Sequence, residues 1–218
     1  MTARSSLAFL AIAMLGFVFA GPSSSVAQDV RVGAGGGWAI PTNQIEAAPE
    51  SGGNIPPLSI DLNSGPHVYV GLGFVRSIGE NFDLGARVRG HTSRIRSSVE
   101  VCESGPCDNP EGDLRAATIE GRVILTSPDW IHPYLLVGLG VVHTTVDGVT
   151  VQADQQTFEF SETTVTDAGG DVGLGASIPL GSGIMLDGEF RVTGALPGGR
   201  ENAVTMLPFS LGLAYQVP

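Results

Sequence analysis

Ten ionisable residues recur at a spacing that puts their side chains together: Arg31, Asp83, Arg87, Arg89, Glu120, Arg122, Asp171, Asp187, Glu189 and Arg191. Within each run they fall on every second position, and in an extended chain such positions share a face. Five arginines and five carboxylates cancel in formal charge. Buried charges persist when they are paired, so the set is expected to close on itself as an ion-pair network. The sharper alternative is a narrow ion or proton pathway along the same face. His91 and Ser93 continue this phase after Arg87 and Arg89. A serine hydrolase needs a base within hydrogen-bond reach of the hydroxyl and a third group to orient that base. Glu100 or Glu103 could supply the orienting acid.

Cys102 and Cys107 are the only thiols. In an exported chain a pair at this spacing is most simply a disulfide, worth roughly 2 kcal/mol for so short a loop. A zinc site needs more ligands, and redox catalysis favours a tighter Cys-x-x-Cys. Glu100, Glu103, Asp108, Glu111 and Asp113 crowd the same stretch. Their order does not match a calcium loop, so a solvated acidic loop is expected, with no metal. His67, His132 and His143 fall at strand ends and form no ligand cluster. No phosphate loop, dinucleotide fingerprint or zinc motif is present, and no cofactor is expected.

These residues sit in segments of period two. Val68-Tyr69-Val70-Gly71-Leu72-Gly73-Phe74 alternates apolar residues with Gly and Tyr; 82–89 and 186–192 alternate them mainly with ions. Alternation means strand. Eight strands are expected, near 30–40, 67–78, 82–95, 115–126, 133–146, 167–180, 184–195 and 204–217. Their connections mostly alternate in length. Gly79-Glu80-Asn81, 127–132 and Gly181-Ser182-Gly183 are tight turns, whereas 41–66, 96–114, 147–166 and 196–203 are mostly longer.

The chain has 218 residues, 31 of them Gly, with 15% charged residues and a net charge of -11. Every basic residue is Arg. No phosphate-neutralising patch of the kind nucleic acid needs is present, so no nucleic-acid partner is expected. Residues 1–27 read as an export signal: Arg4, an apolar run from Leu7 to Ala20, and a small-x-small site at Ser25-Val26-Ala27. That run is too short for a transmembrane helix, which needs roughly 20 residues. The expected mature unit is a single domain over residues 28–218.

Phase separates a soluble sheet from a membrane barrel. Val32, Val70, Leu72, Leu84, Val88, Ile119, Leu135, Leu174, Phe190 and Leu211 share one face; the ten ionisable residues and many glycines share the other. An Arg on the lipid side costs roughly 2–4 kcal/mol at mid-bilayer, so the charged face must be the inside. Eight strands leave an interior just wide enough for side chains to fill. Trp38, Phe82, Trp130, Tyr134 and Tyr215 lie near strand ends, where interfacial girdles form. The expected fold is all-β, an eight-stranded antiparallel up-and-down transmembrane barrel.

The signal, the alternating strands and the Gly-x-Gly pairs resemble the small outer-membrane β-barrel family typified by the OmpA membrane domain. The last strand is similar to the C-terminal signal read by the barrel assembly machinery, through Ser210, Gly212, Tyr215 and Val217. It departs by placing Val217, then Pro218, where a terminal aromatic is usual. The resemblance implies a monomeric, non-enzymatic protein of the bacterial outer membrane. Implied partners are the membrane lipid, lipopolysaccharide and the assembly machinery, with possible surface ligands at the loops. A narrow porin or a small-solute transporter like OmpW is the alternative. His91-Thr92-Ser93 also resembles the His-x-Ser of outer-membrane lipid A deacylases, but its lumenal phase and the missing remainder of that motif count against the enzyme.

Overall fold

In a computed structural model, the described residues are 28–47, 58–98, 110–126, 129–153, 156–196 and 204–217. They form twelve strands: β1 (Gln28–Pro41), β2 (Ile45–Ala47), β3 (Leu58–Asn63), β4 (Gly65–Ser77), β5 (Phe82–Ser98), β6 (Glu111–Leu125), β7 (His132–Val146), β8 (Val149–Ala153), β9 (Gln156–Phe160), β10 (Thr163–Gly181), β11 (Ile184–Ala195) and β12 (Met206–Val217). Eight of these make the barrel, in the order β5-β4-β1-β12-β11-β10-β7-β6, and β5–β6 pairing closes it. Every neighbour is antiparallel. Closure leaves no open edge among these eight, the condition for strands to lie in lipid.

Each of the eight barrel strands overlaps one expected from alternation. The long connections differ from plain loops. β2 pairs with β3, which extends the barrel wall by pairing Asp61 with Ser98 at the end of β5. β8 and β9 form a separate two-stranded ribbon. Backbone pairing thus continues past the apolar band, where period-two hydrophobicity no longer reports it.

The opposite end is closed by tight turns. Gly181, Ser182 and Gly183 take φ of 95°, 52° and 77°, the left-handed region that favours glycine and matches a hairpin's twist. The Ile78 amide donates to the Phe82 carbonyl at 3.1 Å to close the β4–β5 turn. Val30 opposite Val217 brings both described chain ends to this same end.

The outer wall is a continuous apolar surface: Val70 is 63% exposed and Leu135 is 66% exposed, beside Val32, Leu72, Leu174 and Leu213. An apolar patch of this extent suits hydrocarbon rather than water. Trp38, Phe82, Trp130 and Tyr215 are exposed near its margins. Tyr134 departs from the expected girdle. It is buried in the lumen, because Leu135 beside it faces out and neighbours on a strand face opposite ways.

The interior has three levels. Val75, Ile124, Tyr134 and Leu136 pack together near the short-turn end. Charged side chains occupy the middle. Towards the long-loop end Ala39, Ile95, Leu114, Ala116, Val142, Val146, Val204 and Met206 form an apolar cluster, with Leu62 packed against it. The lumen is therefore not polar throughout, as the charged central segments alone suggest. Its inward positions turn apolar at both ends.

Candidate functional site

The middle level is built from one to three inward residues on each of several strands. β5 supplies Arg87 and Arg89, β6 supplies Thr118, Glu120 and Arg122, β7 supplies Tyr134, β10 supplies Asp171, and β11 supplies Glu189, Arg191 and Thr193. Glycines make the room. A Cβ on Gly71 or Gly73 would lie within about 3 Å of Arg87, and one on Gly138 would meet Glu120 Cγ at 2.9 Å. Tyr69 fills the space over Gly35, and Tyr134 the space over Gly175.

Glu189 is the hub. Its Oε1 accepts from Arg87 Nη2 at 3.0 Å, from the Tyr134 hydroxyl at 2.8 Å and from Arg122. Its Oε2 accepts from Arg191 Nε at 3.0 Å and Nη2 at 2.7 Å, and from Arg89. Glu120 is the second acceptor, taking Arg87 at 2.7 Å and Arg191 Nη1 at 2.7 Å. Asp171 takes Thr193 at 2.5 Å, Thr118 at 2.8 Å and Arg191 more distantly at 3.4 Å. Arg89 lies over the Tyr69 ring, 3.7 Å from its centroid, and Arg122 lies 4.5 Å from that of Tyr134. Charge-assisted bonds and cation–π contacts together replace the water these ions give up.

Seven of the ten expected residues therefore meet in one network: Arg87, Arg89, Glu120, Arg122, Asp171, Glu189 and Arg191. Three do not. Asp187 accepts from Ser177 at 2.5 Å, and Asp83 accepts from Ser77 at 2.5 Å. Arg31 Nε has no hydrogen-bond partner among the described residues. Arg31, Arg87, Arg122 and Asp187 border a cavity of about 20 Å³, room for about one water molecule. Tyr69, Tyr134, Thr118 and Thr193 belong to the site and carry no charge, so a search for ions misses them. Their inward phase is the signal that finds them.

Ser93 is paired with a different histidine from the one its spacing suggests. His67 stands opposite it on β4, with Nδ1 2.8 Å from the Ser93 hydroxyl, both buried. Arg89 Nη2 lies 3.3 Å from His67 Nε2. A guanidinium only donates, so Nε2 accepts and Nδ1 carries the proton it gives to Ser93. That is the wrong tautomer for a base that must remove the serine's proton. His91 packs against His67 with ring centroids 5.1 Å apart, and neither of its nitrogens has a partner among the described residues. His67 lies near the start of β4, as expected, but it is buried and shares the inward phase of Tyr69. Among the described residues no three potential ligands gather as for a metal.

Residues 1–27, Glu100, Glu103, Cys102, Cys107 and Asp108 lie outside the described residues. Of the terminal-strand signal, Tyr215 and Val217 face outward, whereas Ser210 is buried and faces inward. Gly212 packs beneath Tyr69.

A closed eight-stranded wall, apolar outside and ion-paired inside, defines a transmembrane β-barrel. The family model described as the outer membrane protein beta-barrel domain matches residues 10–216, and the chain belongs to that family. The barrel fold and this family place it in the bacterial outer membrane. Among solved structures, Neisserial surface protein A is similar at 15% identity and TM-score 0.52, covering 88% of this chain and 99% of that one. OprG of Pseudomonas aeruginosa gives 13% identity and TM-score 0.49 over 88% and 97%. Ail of Yersinia pestis, in complex with sucrose octasulfate, gives 12% and 0.44 over 87% and 99%. No curated protein matches.

Proposed function

We propose that the chain is a structural outer-membrane barrel whose lumen is closed to solutes and whose long-loop end faces outward for surface contact. The convergence of four arginines and a tyrosine on the one carboxylate of Glu189 carries this reading. An ion entering that belt would have to displace charge-assisted bonds while passing an apolar layer on either side. Long loops outside and tight turns inside is the usual layout of such barrels. Export by residues 1–27, a Cys102–Cys107 staple in an outward loop, a monomeric state and the absence of catalysis belong to the same reading.

Planar-bilayer recording of the refolded 28–218 chain tests it. A closed lumen gives no steady single-channel openings. Regular openings would instead make the protein a narrow solute channel.

A further inference from the structure

The lumen holds one guanidinium more than its buried carboxylates neutralise. Arg31, Arg87, Arg89, Arg122 and Arg191 point inward, against Glu120, Asp171, Asp187 and Glu189. Asp29 and Asp83 lie nearer the strand ends, bonded to Gln216 at 2.7 Å and to Ser77 at 2.5 Å. Five positive charges against four leave one unmatched, which is costly in so confined an interior.

Register locates the surplus. Arg31 of β1 stands opposite Gly73 of β4, and Gly73 stands opposite Arg87 of β5. Two arginines thus flank one glycine in a single row. Arg87 has its carboxylates, Glu120 and Glu189. Arg31 joins no carboxylate in an ion pair among the described residues.

Two arginines with an orphaned donor border one cavity. Arg31 Nε and Arg122 Nε are both buried without a hydrogen-bond partner among the described residues. The Arg122 side chain is only 7% exposed, and its Nε lies 4.0 Å from Glu120 Oε2, beyond hydrogen-bond range. With Arg87 and Asp187, these two residues line the space of about 20 Å³ beside Val75, between the belt and the apolar level at the short-turn end. Asp187 is turned to Ser177, whose hydroxyl donates to it at 2.5 Å. Guanidinium groups only donate. A water molecule would fill the space but bring two further donors. A monatomic anion brings acceptor capacity and the missing negative charge together.

We propose that this cavity binds a single halide ion, held by Arg31 and Arg122 on the short-turn side of the belt. The ion neutralises the fifth guanidinium and ties β1 to β6, two strands that do not adjoin. A space for about one water molecule is too small for sulfate or phosphate. Binding here needs no closed lumen, so bilayer conductance does not decide it.

Two measurements on the refolded 28–218 chain test the site: bromide soaked into its crystals, and urea unfolding in detergent with different anions. Bromide should give an anomalous-scattering peak between Arg31 and Arg122. Chloride at about ten times its Kd should lower the unfolding equilibrium constant about elevenfold relative to gluconate of equal ionic strength. R31Q removes the unmatched charge and should lose this halide dependence. R115Q, whose side chain is 69% exposed, should keep it. If R31Q fails to fold, the bromide map on wild type decides alone. No bromide peak at the cavity, equal unfolding of wild type in chloride and gluconate, or a halide effect that persists in R31Q would overturn the proposal.

Discussion

Arg87 stands directly opposite Glu120 across the β5–β6 ladder, and its Nε and Nη2 reach one carboxylate oxygen at 2.9 and 2.7 Å. The same guanidinium also bonds Glu189, which comes from β11. One side chain thus ties a local strand pair to a strand elsewhere on the barrel wall. Such links make the belt a cross-brace as well as a closure.

Replacing Glu189 by Gln should be the most damaging single change in the belt. It leaves four guanidiniums gathered around a neutral amide, and breaking a buried ion pair from one side costs about 3–5 kcal/mol. Urea unfolding in detergent, followed by the electrophoretic shift of the folded barrel, measures this. Asp83→Asn, whose partner Ser77 is exposed, should change stability by less than about 0.5 kcal/mol.

Gly35 and Gly90 should respond oppositely to Ala. A Cβ on Gly35 would meet Gly212 Cα and Tyr69 Cε1 at 2.6 Å, whereas one on Gly90 meets open space. Gly35→Ala should cost about 1–3 kcal/mol by overpacking. Gly90→Ala should fold as well as wild type. Refolding yield and unfolding midpoint of the two variants compare them.

The wall can be mapped by depth. Leu72→Arg, in the middle of the apolar band, should destabilise by about 2–4 kcal/mol, and Thr92→Arg at its margin by about 0–1 kcal/mol. Equal costs at the two positions would contradict the assigned band.

Ser93→Ala removes one buried hydrogen bond with His67 and should cost about 1 kcal/mol. Lipid A acylation on overexpression should be the same for Ser93→Ala and wild type. A deacylation that Ser93→Ala abolishes would mean that His67 works as a base despite its Arg89 contact.

The sequence by itself determined the eight barrel strands, their facing and the membrane setting, but not the extra pairing of β2, β3, β8 and β9 in the connections. Arg87, Arg89 and Val88 cannot satisfy lipid and lumen the other way round, and a period of two assigns sides without knowing any neighbour. Tyr134 was legible by the same rule, since Leu135 faces out, although its place near a strand end suggests a girdle. Partnership was not legible. Glu189 gathers Arg87 and Arg122 from strands that do not adjoin β11, and His67 displaces His91 as the partner of Ser93. Only closure of the barrel decides such pairs, because it brings side chains from separate strands into one narrow lumen. Closure also makes Ile95, Leu114 and Met206 a single apolar layer, although each belongs to a different strand.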